Sequence, residues 1–365
     1  MRGARRVEPS ISPLDEELEL MPGSWTPLMH ESQVRLGTWM PFGRAAKEFE
    51  FHHGAKVDAE TVRRNTQRAG SCYMPEQERV PDRPVQSVPD RQALSVDGAF
   101  VHLNTRVWRE VKTLTASRVA EKGECHEVSY FSRSTSSDEF KEQVRGELTR
   151  RGVKQSAEVC AVADGADWIQ GLIDTHRPDA VRILDFYHAA ERLAKISHAI
   201  FDPDQAAFEG WFARQRHELR HGDPDVVLHE IYELTHSHPQ HAEMLNEHLN
   251  YLATRRAQIG YQLFEQQGWP VGSGSGEAAH TVVVHSRMKL AGMRWAERNV
   301  DSMLALRNLA CNDRWAEGWA LIAARARQSP PPDPVPEQPK KLLPPGVAIV
   351  PLPGWRFDHR ISTKS

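Results

Sequence analysis

Two short apolar runs, residues 159–163 and 180–184, each end in an aspartate, Asp164 and Asp185. One helical turn past the second stands His188, and a further aspartate, Asp97, sits in an alternating stretch upstream. Carboxylates are the ligands that hard divalent cations select, and a histidine beside them can orient the site or a bound phosphate. An aspartate just past a buried strand can equally cap the helix that follows it. Several at neighbouring strand ends point to chemistry, because ligands collect at the carboxyl ends of strands in open α/β sheets. Another acid, Glu277, lies far downstream in the first turn of a predicted helix. There it either complements the helix dipole or delivers a third carboxylate across the sheet.

Such residues need a frame. Residues 168–176 have helical length and are closed by Arg177-Pro178, so 159–184 reads as strand, helix, strand with parallel strands. Upstream, residues 93–103 (ALSVDGAFVHL), 110–119 and 126–132 read as strands rich in β-branched and aromatic residues. Ser136 or Ser137 caps a helix over 138–151, with Phe140, Val144 and Leu148 every four residues. Three strands, helix, strand, helix, strand is the ribonuclease H-like arrangement, a mixed α/β sheet in which a meander is extended by two parallel strands beside the first. The first and fourth strands are then neighbours, about 4.8 Å apart. Asp97 and Asp164 thus come within reach of one divalent ion. Oxygen-only ligation selects Mg²⁺ or Mn²⁺, and carboxylates that close repel unless a cation neutralises them.

The remaining sequence divides around this core. Residues 1–30 form an arm, and 31–70 a helical, helix-turn-helix-like segment with Asp58 as a cap and Gly70 as a stop. Its Arg63, Arg64 and Arg68 suit DNA, although an ordinary helical hairpin would also carry a solvated basic face. Residues 71–92 hold four prolines and read as a linker. The core occupies 93–188 and 269–325, split by an all-helical insertion over 189–268, and 326–365 is a proline-rich tail whose segment 347–357 could pack on the body. The insertion is rich in histidine, but Pro239 interrupts the HSHPQH cluster, so these read as solvated side chains. Residues 212–221 could offer a basic face to phosphates. The Gly272–Gly276 run lacks the GK[ST] ending of a phosphate-binding loop and reads as a flexible approach to a helix starting near Glu277. Asp167 reads as the cap of the helix after Asp164. From Arg287 to Arg314 six basic residues (Arg287, Lys289, Arg294, Arg298, Arg307, Arg314) face three acidic ones, a local surface suited to a polyanion.

Composition sets outer limits. A chain of 365 residues with 39% hydrophobic content can build two or three domains. Its net charge of -3 means that any nucleic-acid binding must rest on local patches. The cysteines, Cys72, Cys125, Cys160 and Cys311, form no CxxC pair, which suits a reducing compartment and leaves no zinc ribbon. No apolar run is long enough for a membrane span. A cytoplasmic protein, nucleoid-associated when bound to DNA, is expected.

The motifs SVDGAFVHL, VADGADWIQ, ILDFYHAAERL, WPVGSGSGEAAHTVVVHSRMKLAGMRW and MLALRNLACNDRW together resemble the catalytic core of bacterial insertion-sequence transposases of the Kra type, and more distantly the Mutator-like transposases. The similarity covers residues 96–319, and the hairpin near 41–70 is similar to that family's N-terminal region. The resemblance implies a ribonuclease H-like core with a DDE triad, Asp97, Asp164 and Glu277, holding two Mg²⁺ (or Mn²⁺) ions. It makes Asp185-Phe186-Tyr187-His188 similar to the D/C-x-x-H signature, with Asp185 and His188 in a supporting role. It implies cleavage at element ends, transfer of the 3′-hydroxyl into target DNA, and a homodimer or higher oligomer on DNA. The alternatives are a catalytically inactive or truncated transposase-derived DNA-binding protein, and a nuclease without strand transfer.

Overall fold

The computed structural model describes residues 17–82, 87–202 and 204–328, apart from the side chains of Ser275 and Glu277. All of them belong to the first of two compact units, Met1–Ser329; the second is Pro330–Ser365. Of the arm expected over residues 1–30, residues 1–16 lie outside the described residues, as does the tail beyond residue 328 with its 347–357 segment; the end of the arm is the start of the first helix.

Three helices come first. Helix α1 (Pro27–Trp39) starts at a Thr26 cap with proline in its first turn, and α2 (Phe42–His53) stops at left-handed Gly54. Helix α3 (Ala59–Glu78) is capped by Asp58, whose side chain accepts from the Thr61 amide. The expected stop at Gly70 is not there. The helix runs through it and through Pro75, so residues 71–78 are helix rather than linker. Gly70 is needed for contact: a Cβ there would collide with the Ser302 carbonyl of α13 (Val300–Cys311). Val34, Ala69 and Tyr73 share a core with Leu306, Leu309, Trp315, Trp319 and Ile322, so α3 packs on α13 and on α14 (Trp315–Gln328). The expected tail boundary at 326 thus falls inside α14.

The sheet has five strands in the order β3-β2-β1-β4-β5. Strands β1 (Arg91–His102), β2 (Trp108–Val119) and β3 (Cys125–Arg133) are antiparallel, and β4 (Glu158–Ala163) and β5 (Val181–Leu184) run parallel to β1. The neighbours β1 and β4 are those expected from the element order. Side chains alternate between faces. Leu94, Val96, Ala161 and Ala163 face α4 (Ser137–Gln143), α5 (Arg145–Arg150) and α6 (Asp167–His176). The helix expected over 138–151 breaks at Val144, while Ser136 and Glu139 form a capping box at its start. Along the outer edge of β3, side chains stand in for a further strand. Asn312 bonds both the Tyr130 amide and carbonyl, Asn308 the Ser132 carbonyl, and Asp301 the Ser134 amide.

The other face carries Ala93, Cys160, Val162 and Ile183, in one core with Leu193, Trp211, Ile231 and Leu252. Those residues come from the insertion: α7 (Phe186–Phe201), α8 (Gln205–His221), α9 (Pro224–Ser237), α10 (Ala242–Ala253) and α11 (Tyr261–Gln266). The chain returns through α12 (Gly274–Ala279), a π-helical stretch His280–His285 and the turn Ser286–Met288. The glycine run therefore lies largely inside a helix, three residues earlier than expected. Among the described residues no helix is long and apolar enough to cross a membrane.

Inserting one methyl group where α3 meets α13 forces the helices apart. The Gly70→Ala protein should lose about 1–3 kcal/mol of stability, the usual cost of overpacking. The measure is the urea midpoint, with the slope of the transition unchanged.

Candidate active site

Strand register decides where the acids go. Val96 pairs with Ala163, and Ala163 with Leu184. One step further along each parallel strand come Asp97, Asp164 and Asp185, side by side at one level. They keep the parity of Ala93, Val162 and Ile183, which face the insertion, so all three leave the sheet on that face. Strand β1 continues past this level to His102, while β4 and β5 end there.

Asp97 accepts from the Gly98 amide at 2.7 Å through Oδ1, and its Oδ2 stands 3.2 Å from His280 Nε2. Burial pushes its carboxyl up, but the His280 contact and the amide outweigh this and hold it below the ordinary value. His280 Nδ1 is buried and has no hydrogen-bond partner among the described residues. Asp164 Oδ1 accepts from the Ala166 amide at 2.9 Å, and left-handed Gly165 turns the chain between them. Two insertion side chains hold this turn: the Tyr251 hydroxyl donates to the Asp164 carbonyl, and Arg255 donates to the Gly165 carbonyl.

Asp185 is different, being fully buried. It caps α7 through the Tyr187 and His188 amides, at 2.7 and 3.0 Å, and its other oxygen takes the Ser273 amide. His188 Nδ1 lies 3.3 Å away. Burial alone would raise the Asp185 carboxyl; the His188 ring and the Ser273 contact outweigh it and bring it down to about 2. His188 is raised in return, by Asp185 first, against its own burial, with Asp164 and Asp97 adding to the effect. Asp185 thus joins the end of β5, the start of α7 and the loop returning from the insertion. One residue after Ser273, α12 begins, bearing Glu277. At Gly276 a Cβ would stand 2.7 Å from Ser95 Oγ, so α12 crosses β1 two residues before Asp97.

Glu277 therefore lies on a helix against the acidic end, its side chain outside the described residues. Among the described residues no three His, Cys, Asp or Glu side chains converge as a metal site. Asp97 and Asp164 supply oxygen donors at adjacent strand positions, and both ring nitrogens of His280 are buried without a hydrogen-bond partner among the described residues. This donor set fits a hard divalent cation.

Several expected residues are elsewhere. Arg287 is fully buried, donating to the Gly37 carbonyl and lying over Phe42 and Trp295, because it links the turn after the π-helical stretch to α1. It is no DNA contact. Arg307 is buried too, and Arg314 forms a bidentate pair with buried Glu147, so half of the basic run is internal. Lys289, Arg294 and Arg298 are exposed. In α3, Arg63 is held by Glu60 and Gln67, Arg68 donates to the Ala326 carbonyl, and Arg64 is exposed. Asp167 does not cap α6; it is an exposed first residue of that helix, after Ala166. In 212–221, Arg216 and Arg220 lie over Phe186, and Arg220 pairs with Glu265.

Sequence reasoning missed His280, Ser273, Tyr251 and Arg255. His280 lies one helical turn after Glu277, a spacing that would have shown it. Tyr251 and Arg255 reach Asp164 and Gly165 across some ninety residues, and no local pattern reports that contact. A cavity of about 660 Å³ beside Arg91, Glu158 and Trp269 lies at the opposite, amino ends of the strands, away from the acids. No protein-family model matches the chain, and no curated protein matches it.

Because its folded value lies below that of a free aspartate, Asp185 stabilises the fold above about pH 4. That contribution disappears as pH falls through about 2. Denaturant unfolding of Asp185→Asn beside the native protein should show a deficit on the order of 2 kcal/mol at pH 6, narrowing towards zero as the pH is lowered to about 2.

Proposed function

We propose that this chain is a DNA-processing enzyme of the DDE transposase type, built on a ribonuclease H-like core. The observation that carries the reading is the register: Asp97 and Asp164 leave adjacent parallel strands at one level and on one face. The strand order and the crossing of α12 over β1 support it.

Asp97, Asp164 and Glu277 would hold two divalent ions, Mg²⁺ or Mn²⁺. Bound there, such ions would supply Lewis-acid activation of water or a DNA 3′-hydroxyl and would stabilise the leaving oxygen at phosphorus. The protein's own part is positional. Local amides fix one oxygen of Asp97 and one of Asp164, which limits the orientations each carboxylate adopts. His280 keeps Asp97 ionised, ready for a cation. Asp185, with every oxygen engaged, acts as a positioning residue for α12, and His188 neutralises it. Exposed Lys289, Arg294 and Arg64 remain available to a DNA backbone. Joining two element ends calls for at least two copies of the chain on DNA.

The test is nicking of a labelled duplex carrying the terminal repeats that flank the gene. The native protein should cut it with Mg²⁺, and Asp164→Asn should slow cutting on the order of 10³-fold, the equivalent of several kcal/mol of lost charge stabilisation. A joined product separates strand transfer from simple nuclease action. If the native protein binds the duplex but leaves it uncut with both Mg²⁺ and Mn²⁺, catalysis is refuted in favour of a DNA-binding relative.

A further inference from the structure

We infer that the cleft between the end of β4 and the helical insertion is a phosphodiester-binding subsite, which holds the DNA strand next to the phosphate that reacts. This rests on the function proposed above and assigns that function a second set of residues.

The cleft measures about 310 Å³, and its walls include Asp164, His188, Arg192, Lys195, Tyr251 and Arg255. One wall is therefore a proposed catalytic carboxylate, and the others come from α7, from α10 and from Arg255 just beyond the end of α10. Two guanidiniums, those of Arg192 and Arg255, each lie 4.2 Å from the centre of the Tyr251 ring. Its hydroxyl is bonded to the Asp164 carbonyl, and Arg255 holds the next carbonyl at 2.8 Å. Arg192 and Arg255 are thus tied through Tyr251 to the Asp164 turn, while Lys195 extends from the exposed side of α7 at the cleft's edge.

Their present partners are weak competitors for a phosphate. Lys195 pairs with Glu191 at 2.9 Å, where both side chains are more than half exposed. Arg192 lies 3.6 Å from Glu247, and Arg255 lies 4.0 Å from Asp167, each an exposed acid. Solvated pairs of this kind contribute little and exchange readily, whereas a phosphate offers charge-assisted bonds to both arginine and lysine. Asp164 is the acid most deeply placed in the cleft, and it is the one a bound cation would neutralise. With that charge removed, three cations line the cleft against Asp167 and Glu191. A polyanion entering from the solvent meets lysine and arginine first and the reacting centre last.

The experiment is duplex binding by the full chain, with Ca²⁺ replacing Mg²⁺, from about 50 to about 200 mM KCl. Each phosphate contact contributes about 0.9 to the slope of log affinity against log salt. Lys195→Gln should weaken binding severalfold and make the slope shallower by about 0.9, and Lys195→Arg should restore both. Arg192→Gln should give a similar change of slope. Lys154→Gln, ahead of the opposite end of β4, should leave the slope at the native value. If the native protein binds while Lys195→Gln and Arg192→Gln keep its slope, the subsite is refuted and the broader function stands. Weaker binding at an unchanged slope means lost packing and also refutes it. If the native protein does not bind duplex at all, both readings fall together.

Discussion

The arrangement depends on one buried carboxylate. An aspartate sealed from water is tolerated only when its oxygens are bonded, since an unpaired buried charge is strongly destabilising. Asp185 meets that demand with three backbone amides and the His188 ring. Those amides come from the start of α7 and from the loop before α12, the two places where the chain leaves the core and re-enters it. The Phe186 amide reinforces the junction by donating to the Val271 carbonyl at 3.0 Å. Through one residue the insertion is closed at its neck, and α12 is held against β1.

The acidic end of the sheet is kept together by division of labour. Asp185 sits at the same level as Asp97 and Asp164 yet has no oxygen to spare, so it takes the structural part. The other two each spend one oxygen on a local amide. His280 faces the second oxygen of Asp97 and helps hold that carboxyl below its ordinary value. The insertion contributes as well, since Tyr251 and Arg255 hold the turn that carries Asp164. The helical domain and the sheet are one working unit with a shared apolar core.

Much of this was legible in the sequence because it depends on local patterns. β-branched alternation gave the strands, and apolar runs ending in acids located Asp164 and Asp185. The adjacency of the first and fourth strands then placed Asp97 beside Asp164. What failed depended on contacts distant in sequence. Gly70 reads as a helix stop, and only the approach of α13 shows why a glycine stands in mid-helix. Arg287, Arg307 and Arg314 read as a surface run, since composition cannot tell a solvated guanidinium from one buried on carbonyls or a carboxylate. Arg68 failed for the same reason.

The edge of β3 has a consequence for how copies of this chain meet. An open strand edge invites another chain to add a strand, the usual route to aggregation and to sheet-extended assemblies. Here Asn312, Asn308 and Asp301 take up the Tyr130 amide and carbonyl, the Ser132 carbonyl and the Ser134 amide. At the far side β5 is four residues long and runs straight into a buried cap. Intermolecular β-augmentation is closed along that stretch of one edge and has little backbone to use at the other. Strand addition would therefore have to avoid both of these stretches of backbone.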